Sequence, residues 1–250
     1  AGLMPDDVIV GVDGESIVGW SLDEVTSRVR GPAGTPVNLS IERGESTLDV
    51  RIVRAAVDIP SLEYERIGDV GYVKLYQFSN GADLEFEEAV LDLLAEGVRH
   101  LVIDFQDNPG GFLDVAIGIA SVFLPEGEVV VTEGPGVRIP YEVTGTAVVP
   151  DDVRVDMVVN RASASASEVV SGVMQEEGRS VVYGENTFGK NTVQQRFDLS
   201  NGGALRLTIA RWVTPGGHDF GGVGITPDVM VEIDPTASPD EVVAAVLAAS

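Results

Sequence analysis

The sequence predicts an α/β chain: a layered domain of alternating helices and strands, preceded by a smaller, mostly β unit with one helix. Three observations carry this. Beyond residue 67, apolar residues at strand spacing alternate with apolar residues at helical spacing, the rhythm of helices laid on a parallel sheet. Leu101–Phe105 is apolar except for Asp104, as expected of a strand covered on both faces. Before residue 56, short β patterns broken by Gly and Pro surround a single helical pattern.

In order, Val8–Val12 reads as a strand, Asp13-Gly14 as a tight turn, and a second short strand follows. Ser21 is a helix N-cap, with Glu24 three residues on completing a capping box; Val25 and Val29 share a face, and Gly31-Pro32 ends the helix. Val37–Ile41 and Leu48–Val53 alternate like a hairpin across Arg43-Gly44. Residues 56–66, with Pro60 and mixed charge, read as a linker. Val70–Phe78 is strand-like, and 82–96 is helical, with Phe86, Val90, Leu93 and Leu94 on one face and Gly97 as its stop. After the 101–105 strand, Asp107-Asn108-Pro109-Gly110-Gly111 makes a turn into a helix over 112–124, ended by Pro125. Strands are expected at 129–131, 153–159 and 180–183, with 134–151 a loop lacking periodicity. Strands at 192–199 and 204–213 flank an Asn201-Gly202 turn, and a helix over 239–249 closes the chain.

Composition narrows the function classes. The chain has 250 residues, 44% of them hydrophobic, enough for one large or two smaller ordered cores. Its net charge of −24 is spread along the sequence, which argues against nucleic acid and anionic lipid as partners. An acidic, solvated surface suited to a saline setting is the expectation. With no cysteine and only two histidines, His100 and His218, thiol chemistry is excluded and a His-based metal site is not expected. No apolar run reaches transmembrane length. The absence of an initiator Met or leader at Ala1 reads as an excised or partial sequence.

The chemistry concentrates between Asn160 and Gln194. A buried-strand pattern runs into a turn of small residues carrying Ser163, Ser165 and Ser167, and a helix pattern with Val169, Val170, Val173 and Met174 follows. A helix start offers unpaired N–H groups and the positive end of the dipole. A serine there could serve as an exposed nucleophile beside ready-made donors for a developing oxyanion. Position alone does not choose among the three serines, and an ordinary N-cap serine is the plainer reading. Lysine usage adds a second signal. Of 16 basic residues only Lys74 and Lys190 are lysine. Arginine keeps its proton, whereas a lysine amine in apolar surroundings can shed it and act as a base. Lys190 sits in a Gly-flanked loop, a place where that difference matters.

Four motifs, IDFQDNPGG (103–111), ASASASEVV (162–170), TFGKNTVQ (187–194) and GGVGITPDV (221–229), together resemble the carboxyl-terminal processing, or tail-specific, proteases. These are Ser/Lys endopeptidases carrying a PDZ domain. The resemblance covers nearly the whole chain, in the family's order and spacing. It implies a crotonase/Clp-protease-like layered α/β protease domain over 67–250, preceded by a truncated PDZ domain over 1–55 whose opening strand and carboxylate-binding loop would lie before Ala1. It implies Ser165 as nucleophile, Lys190 as general base 25 residues later, Gln194 orienting the amine, and an oxyanion hole from the N–H groups of Gly111 and Ala166. The base role requires a neutral amine and hence a sheltered pocket, with Phe188 and Val193 as expected walls. By the same resemblance Arg30, with Arg28, is a possible latch at the helix end; dipole partners and solvated surface are the plainer reading.

The family works without metal or other cofactor, on protein or peptide substrates with accessible C-terminal tails, outside the cytoplasm in the envelope or periplasm. Two departures stand out. Gln106 occupies a position where the family often has arginine, and His218 replaces another polar or basic residue in the closing loop, where it reads as surface or substrate-facing. A peptide-binding scaffold with a latent protease domain is the alternative; an acyl-CoA enzyme of the crotonase type leaves the Ser/Lys spacing unexplained.

Overall fold

A computed structural model describes residues 2–4, 7–44, 46–55, 60–199 and 203–250. The side chains of Leu22, Asp23, Gln194, Gln195, Arg196, Asp198 and Arg206 lie outside that description, as does the expected Asn201-Gly202 turn. The chain divides into two compact units, residues 1–59 and 60–250.

The first unit is a four-stranded antiparallel sheet with one helix. Strands β1 (Val8–Val12), β2 (Glu15–Ser16), β3 (Pro36–Arg43) and β4 (Ser46–Val53) lie in the order β2-β1-β3-β4. Val12, Val37, Leu39 and Ile41 are its buried core, with Val25 and Val29 of helix α1 (Leu22–Val29) packed against them. The capping box forms as the sequence requires: Glu24 N–H donates to Ser21 Oγ, and Ser21 N–H donates to the Glu24 carboxylate. At the other end of α1 the Arg54 guanidinium donates to the carbonyls of Arg28 and Val29, satisfying acceptors that a helix terminus leaves open. Arg30 is the C-cap residue, and its side chain is exposed.

The second unit is built on a six-stranded sheet, ordered β14-β11-β10-β7-β6-β5. Its strands are β5 (Leu62–Ile67), β6 (Val70–Leu75), β7 (His100–Asp104), β10 (Arg154–Val159), β11 (Val181–Gly184) and β14 (Val229–Met230). All pairs are parallel except β5 with β6. Alternation along the strands separates two cores. Val73, Leu75, Leu101, Ile103, Val155, Met157 and Val159 face the cluster that contains residues of α2 (Ala82–Ala95), α3 (Leu113–Phe123) and α4 (Ala166–Glu176). Val70, Tyr72, Val102, Val158 and Tyr183 face the other cluster, with Val242, Val243 and Val246 of α5 (Pro239–Ala249). A second, antiparallel sheet holds β8 (Glu128–Gly134), β9 (Val137–Glu142), β12 (Thr192–Asp198) and β13 (Ala204–Val213), ordered β12-β13-β8-β9.

Three strands fall where none was expected, and all three are edges. β5 begins inside the 56–66 stretch read as a linker and runs one residue past it, and β9 lies within the 134–151 stretch read as a loop. β14 has only two residues. Edge strands carry charge, proline and exposed side chains that blunt their open side. Glu63, Glu65 and Arg66 in β5 and Pro140 in β9 do this, and so they erase the periodicity that marks an inner strand.

Candidate active site

Parallel strands end on a common edge, and the site is assembled there. Beyond β7, the turn 106–111 is held by Asn108, which is fully buried. Its side-chain N–H donates to the Leu75 carbonyl, its Oδ1 accepts from Gly110 N–H, and its own carbonyl accepts from Ala164 N–H and Ser167 Oγ. Asp107 takes a left-handed conformation (φ 59°) and exchanges two hydrogen bonds with Asn160, at 3.1 and 2.8 Å. Asn160 in turn follows β10, so the two turns are tied side by side.

The glycines make the approach possible. A Cβ at Gly110 (φ 93°) would lie 2.6 Å from the Ala164 carbonyl oxygen and 2.8 Å from Ser165 Cβ, and one at Gly111 would overlap the Phe78 carbonyl. Any side chain at either position would push the turn off its neighbour.

The three serines differ in what their hydroxyls do. Ser163 Oγ donates to the Phe105 carbonyl at 2.7 Å and accepts from Asn160 N–H. Ser167 Oγ donates to the Asn108 carbonyl at 3.0 Å. Both are structural clips between the two turns. Ser165 is the N-cap residue of α4, with φ 59° and ψ −112°. A non-glycine residue in such a conformation costs about 1–3 kcal/mol and persists only where its surroundings enforce it. Among the described residues, neither Ala166 N–H, at the first position of α4, nor Gly111 N–H has a protein acceptor. Ala166 N–H adjoins Ser165 at the helix start, and the facing glycine turn comes closest to Ser165 at Gly110.

Glu168 is the residue that sequence reasoning passed over. Its carboxylate is fully buried in the first turn of α4 and accepts four hydrogen bonds. Oε2 accepts from Ser165 N–H at 2.7 Å and Lys190 N–H at 2.8 Å; Oε1 accepts from Thr187 Oγ1 and Gly189 N–H, both at 2.6 Å. One oxygen thus holds the main chain of both Ser165 and Lys190. The signal was present: Ser165-x-x-Glu168 is the capping-box spacing. The loop is also tied down by Phe188 N–H to the Ser163 carbonyl and by Gly222 N–H to the Gly189 carbonyl.

Among the described residues the expected walls do not shelter Lys190. Its side chain is exposed, Phe188 is 64% exposed, and Val193 is half-buried. The main-chain bonds place the loop with the residue-190 side chain directed to solvent, so the two residues read as walls do not enclose it. Gln194 lies in β12 opposite Thr208, with its side chain outside the described residues. His218 is exposed, its N–H donating to Thr214 Oγ1, and it lines a cavity of about 300 Å³ with Glu176 and Gln175.

Lys74, the other lysine, is buried in β6 opposite Asp104 of β7, with Nζ 3.5 Å from its carboxylate. Asp104 also accepts from Tyr72 OH at 2.6 Å and Gln106 N–H at 2.7 Å. Burial pushes the Asp104 acid upward, and the Lys74 charge and these donors oppose that rise. Gln106 is neutral and donates to the Ile233 carbonyl, so Lys74 supplies the charge that balances Asp104. Among the described residues no group of three or more His, Cys, Asp or Glu side chains is arranged to hold a metal ion.

Residues 69–231 match the model of peptidase family S41, and residues 1–43 match a PDZ domain. A probable CtpA-like serine protease of Staphylococcus epidermidis ATCC 12228 is 38% identical over 233 residues, covering 92% of this chain and 48% of that protein. The namesake of Staphylococcus aureus COL is 38% identical over 234 residues, covering 93% and 47%. The chain therefore spans about half the length of these relatives. Among solved structures, the photosystem II D1 C-terminal processing protease superposes with a TM-score of 0.76 at 29% identity, over 92% of this chain and 64% of that one. A putative S41 protease from Bacteroides fragilis NCTC 9343 shares the fold, with a TM-score of 0.62 at 18% identity over 99% and 73%.

Proposed function

The chain belongs to peptidase family S41, and on that premise we propose that it carries the catalytic core of a serine endopeptidase that cleaves proteins near their C-termini. Ser165 Oγ attacks the scissile carbonyl carbon while Lys190 Nζ accepts the hydroxyl proton. The N–H groups of Gly111 and Ala166 receive the oxyanion, Lys190 returns the proton to the leaving amine, and water then hydrolyses the acyl-enzyme. Gln194 orients the lysine amine.

The observation that carries this reading is the division of labour among the serines. Ser163 and Ser167 donate to main-chain carbonyls, whereas Ser165 stands on a strained turn at the start of α4 with no main-chain carbonyl holding its hydroxyl among the described residues. Glu168 supports the reading by holding the main chain of both Ser165 and Lys190 on one carboxylate oxygen. The lysine side chain swings in from solvent as substrate fills the cleft and displaces water, which favours the neutral amine.

Residues 1–55 act as the PDZ module that delivers substrate tails to the protease unit, 60–250, which takes in β5 from the stretch read as a linker, with Arg30 as a latch between delivery and cleavage. The enzyme works outside the cytoplasm and needs no metal. The exposed Lys190 favours one other reading, a latent protease-like scaffold that binds peptides without cutting them. Turnover of an unfolded protein with an accessible C-terminal tail separates the two. Ser165→Ala and Lys190→Ala are each expected to abolish cleavage while leaving the thermal midpoint in place; cleavage at the wild-type rate by either variant rules the dyad out, and none by the wild type favours the scaffold.

A further inference from the structure

We propose that the cavity bounded by Arg161, Glu185, Asn186, Thr187, Phe188 and Met230 is a specificity subsite, taking one bulky apolar side chain of the substrate at a single position beside the scissile bond. This rests on the protease reading above. The cavity is an open depression of about 450 Å³, room for a large side chain.

Two features of its wall set the chemistry. Phe188 is 64% and Met230 63% exposed, so these large apolar groups contribute nothing to the core and stand open to a ligand. On the same lining, Arg161 Nε lies 2.8 Å from a Glu185 carboxylate oxygen, so each charge already has its partner. A charged side chain there has to compete with an existing ion pair, while an apolar one gains contact with an aromatic ring and a thioether.

The position relative to the reacting groups comes from the main chain. Arg161 stands four residues before Ser165 on the same turn, and Phe188 two residues before Lys190. Phe188 N–H donates to the Ser163 carbonyl, and Glu185 N–H to the Val159 carbonyl. The loop is fastened on both sides of the cavity before any substrate arrives, as a selective pocket requires. Thr187 is fixed as well, through Glu168 and through Ile225 N–H, which donates to its hydroxyl.

Quenched peptides that differ only by Ala, Leu or Phe at each position around the cleavage point test the assignment. In the wild type, one position is expected to favour Leu or Phe over Ala in kcat/KM by at least about tenfold, the scale of an apolar pocket contact. Phe188→Ala should bring that ratio to within about twofold of one, Met230→Ser should lower it, and Phe188→Leu should keep most of it. Because Phe188 is largely exposed, the thermal midpoint should not move. A ratio that survives Phe188→Ala overturns the proposal, even if all rates fall together, since the ring would then only prop the Lys190 loop. So does the absence of any position with such a preference among peptides cleaved in a Ser165-dependent way. If no peptide is cleaved by wild type more than by Ser165→Ala, the protease reading falls and the subsite with it.

Discussion

At the scale of single residues, the arrangement turns on one buried carboxylate. Glu168 accepts four hydrogen bonds, and two of them come from the N–H groups of Ser165 and Lys190. Replacing it by glutamine keeps the shape but turns one acceptor oxygen into a donor facing N–H groups, which leaves at least one of them unsatisfied. Such a loss costs about 1–3 kcal/mol. Glu168→Gln is therefore expected to lower stability by about 2 kcal/mol in denaturant unfolding and to reduce kcat far more than it changes KM. A variant with wild-type kcat would mean that the carboxylate only caps a helix. This residue was readable from the sequence as a capping box, since that signature is local. Its reach to Thr187, Gly189 and Lys190 was not, because the loop is brought to it by tertiary structure. The same limit explains Lys190: a motif places the residue in the chain, whereas exposure depends on what the rest of the fold puts around it.

Among the elements, the inner strands and the helices were legible and the edges were not. β7 and β10 are apolar runs covered on both faces, and α1 announces its start through Ser21 and Glu24. β5 and β9 hide because edge strands are built from the residues that loops use. The pairing of β6 with β7 yields a test at this scale. Lys74 and Asp104 are buried cross-strand neighbours, and removing one partner of a buried pair leaves an uncompensated charge at a cost of about 3–5 kcal/mol. Lys74→Met should lose about that much stability at neutral pH. The sign of its pH dependence follows from Asp104. Burial raises its folded-state value above the ordinary aspartate value, so the native state holds a proton that the unfolded chain releases, and stability falls as pH climbs through that window. Without the Lys74 charge the rise is larger. The deficit of Lys74→Met should be smallest below about pH 4, near the unfolded value, and grow above it. A deficit that is flat from about pH 3, below the ordinary aspartate value, up to neutral pH would show that the pair is not what balances Asp104.

For the molecule as a whole, a net charge of −24 on 250 residues sets the solution behaviour. Like charges repel in the compact state, and salt screens them over about 10 Å at 0.1 M and about 3 Å at 1 M. The thermal midpoint should rise by several degrees between low salt and about 1 M sodium chloride; a fall would mean that specific ion pairs, such as Arg43–Asp7 and Arg138–Glu128, outweigh the general repulsion. Among the described residues no helix is long and apolar enough to cross a membrane. The central claim concerns one hydroxyl and one amine, and covalent labelling of the intact protein reaches it most directly. A fluorophosphonate incubated with the protein, followed by peptide mapping, should give a single adduct on Ser165, absent in Lys190→Ala. An adduct on Ser163 or Ser167, or one on Ser165 that forms as fast without the lysine, would contradict it.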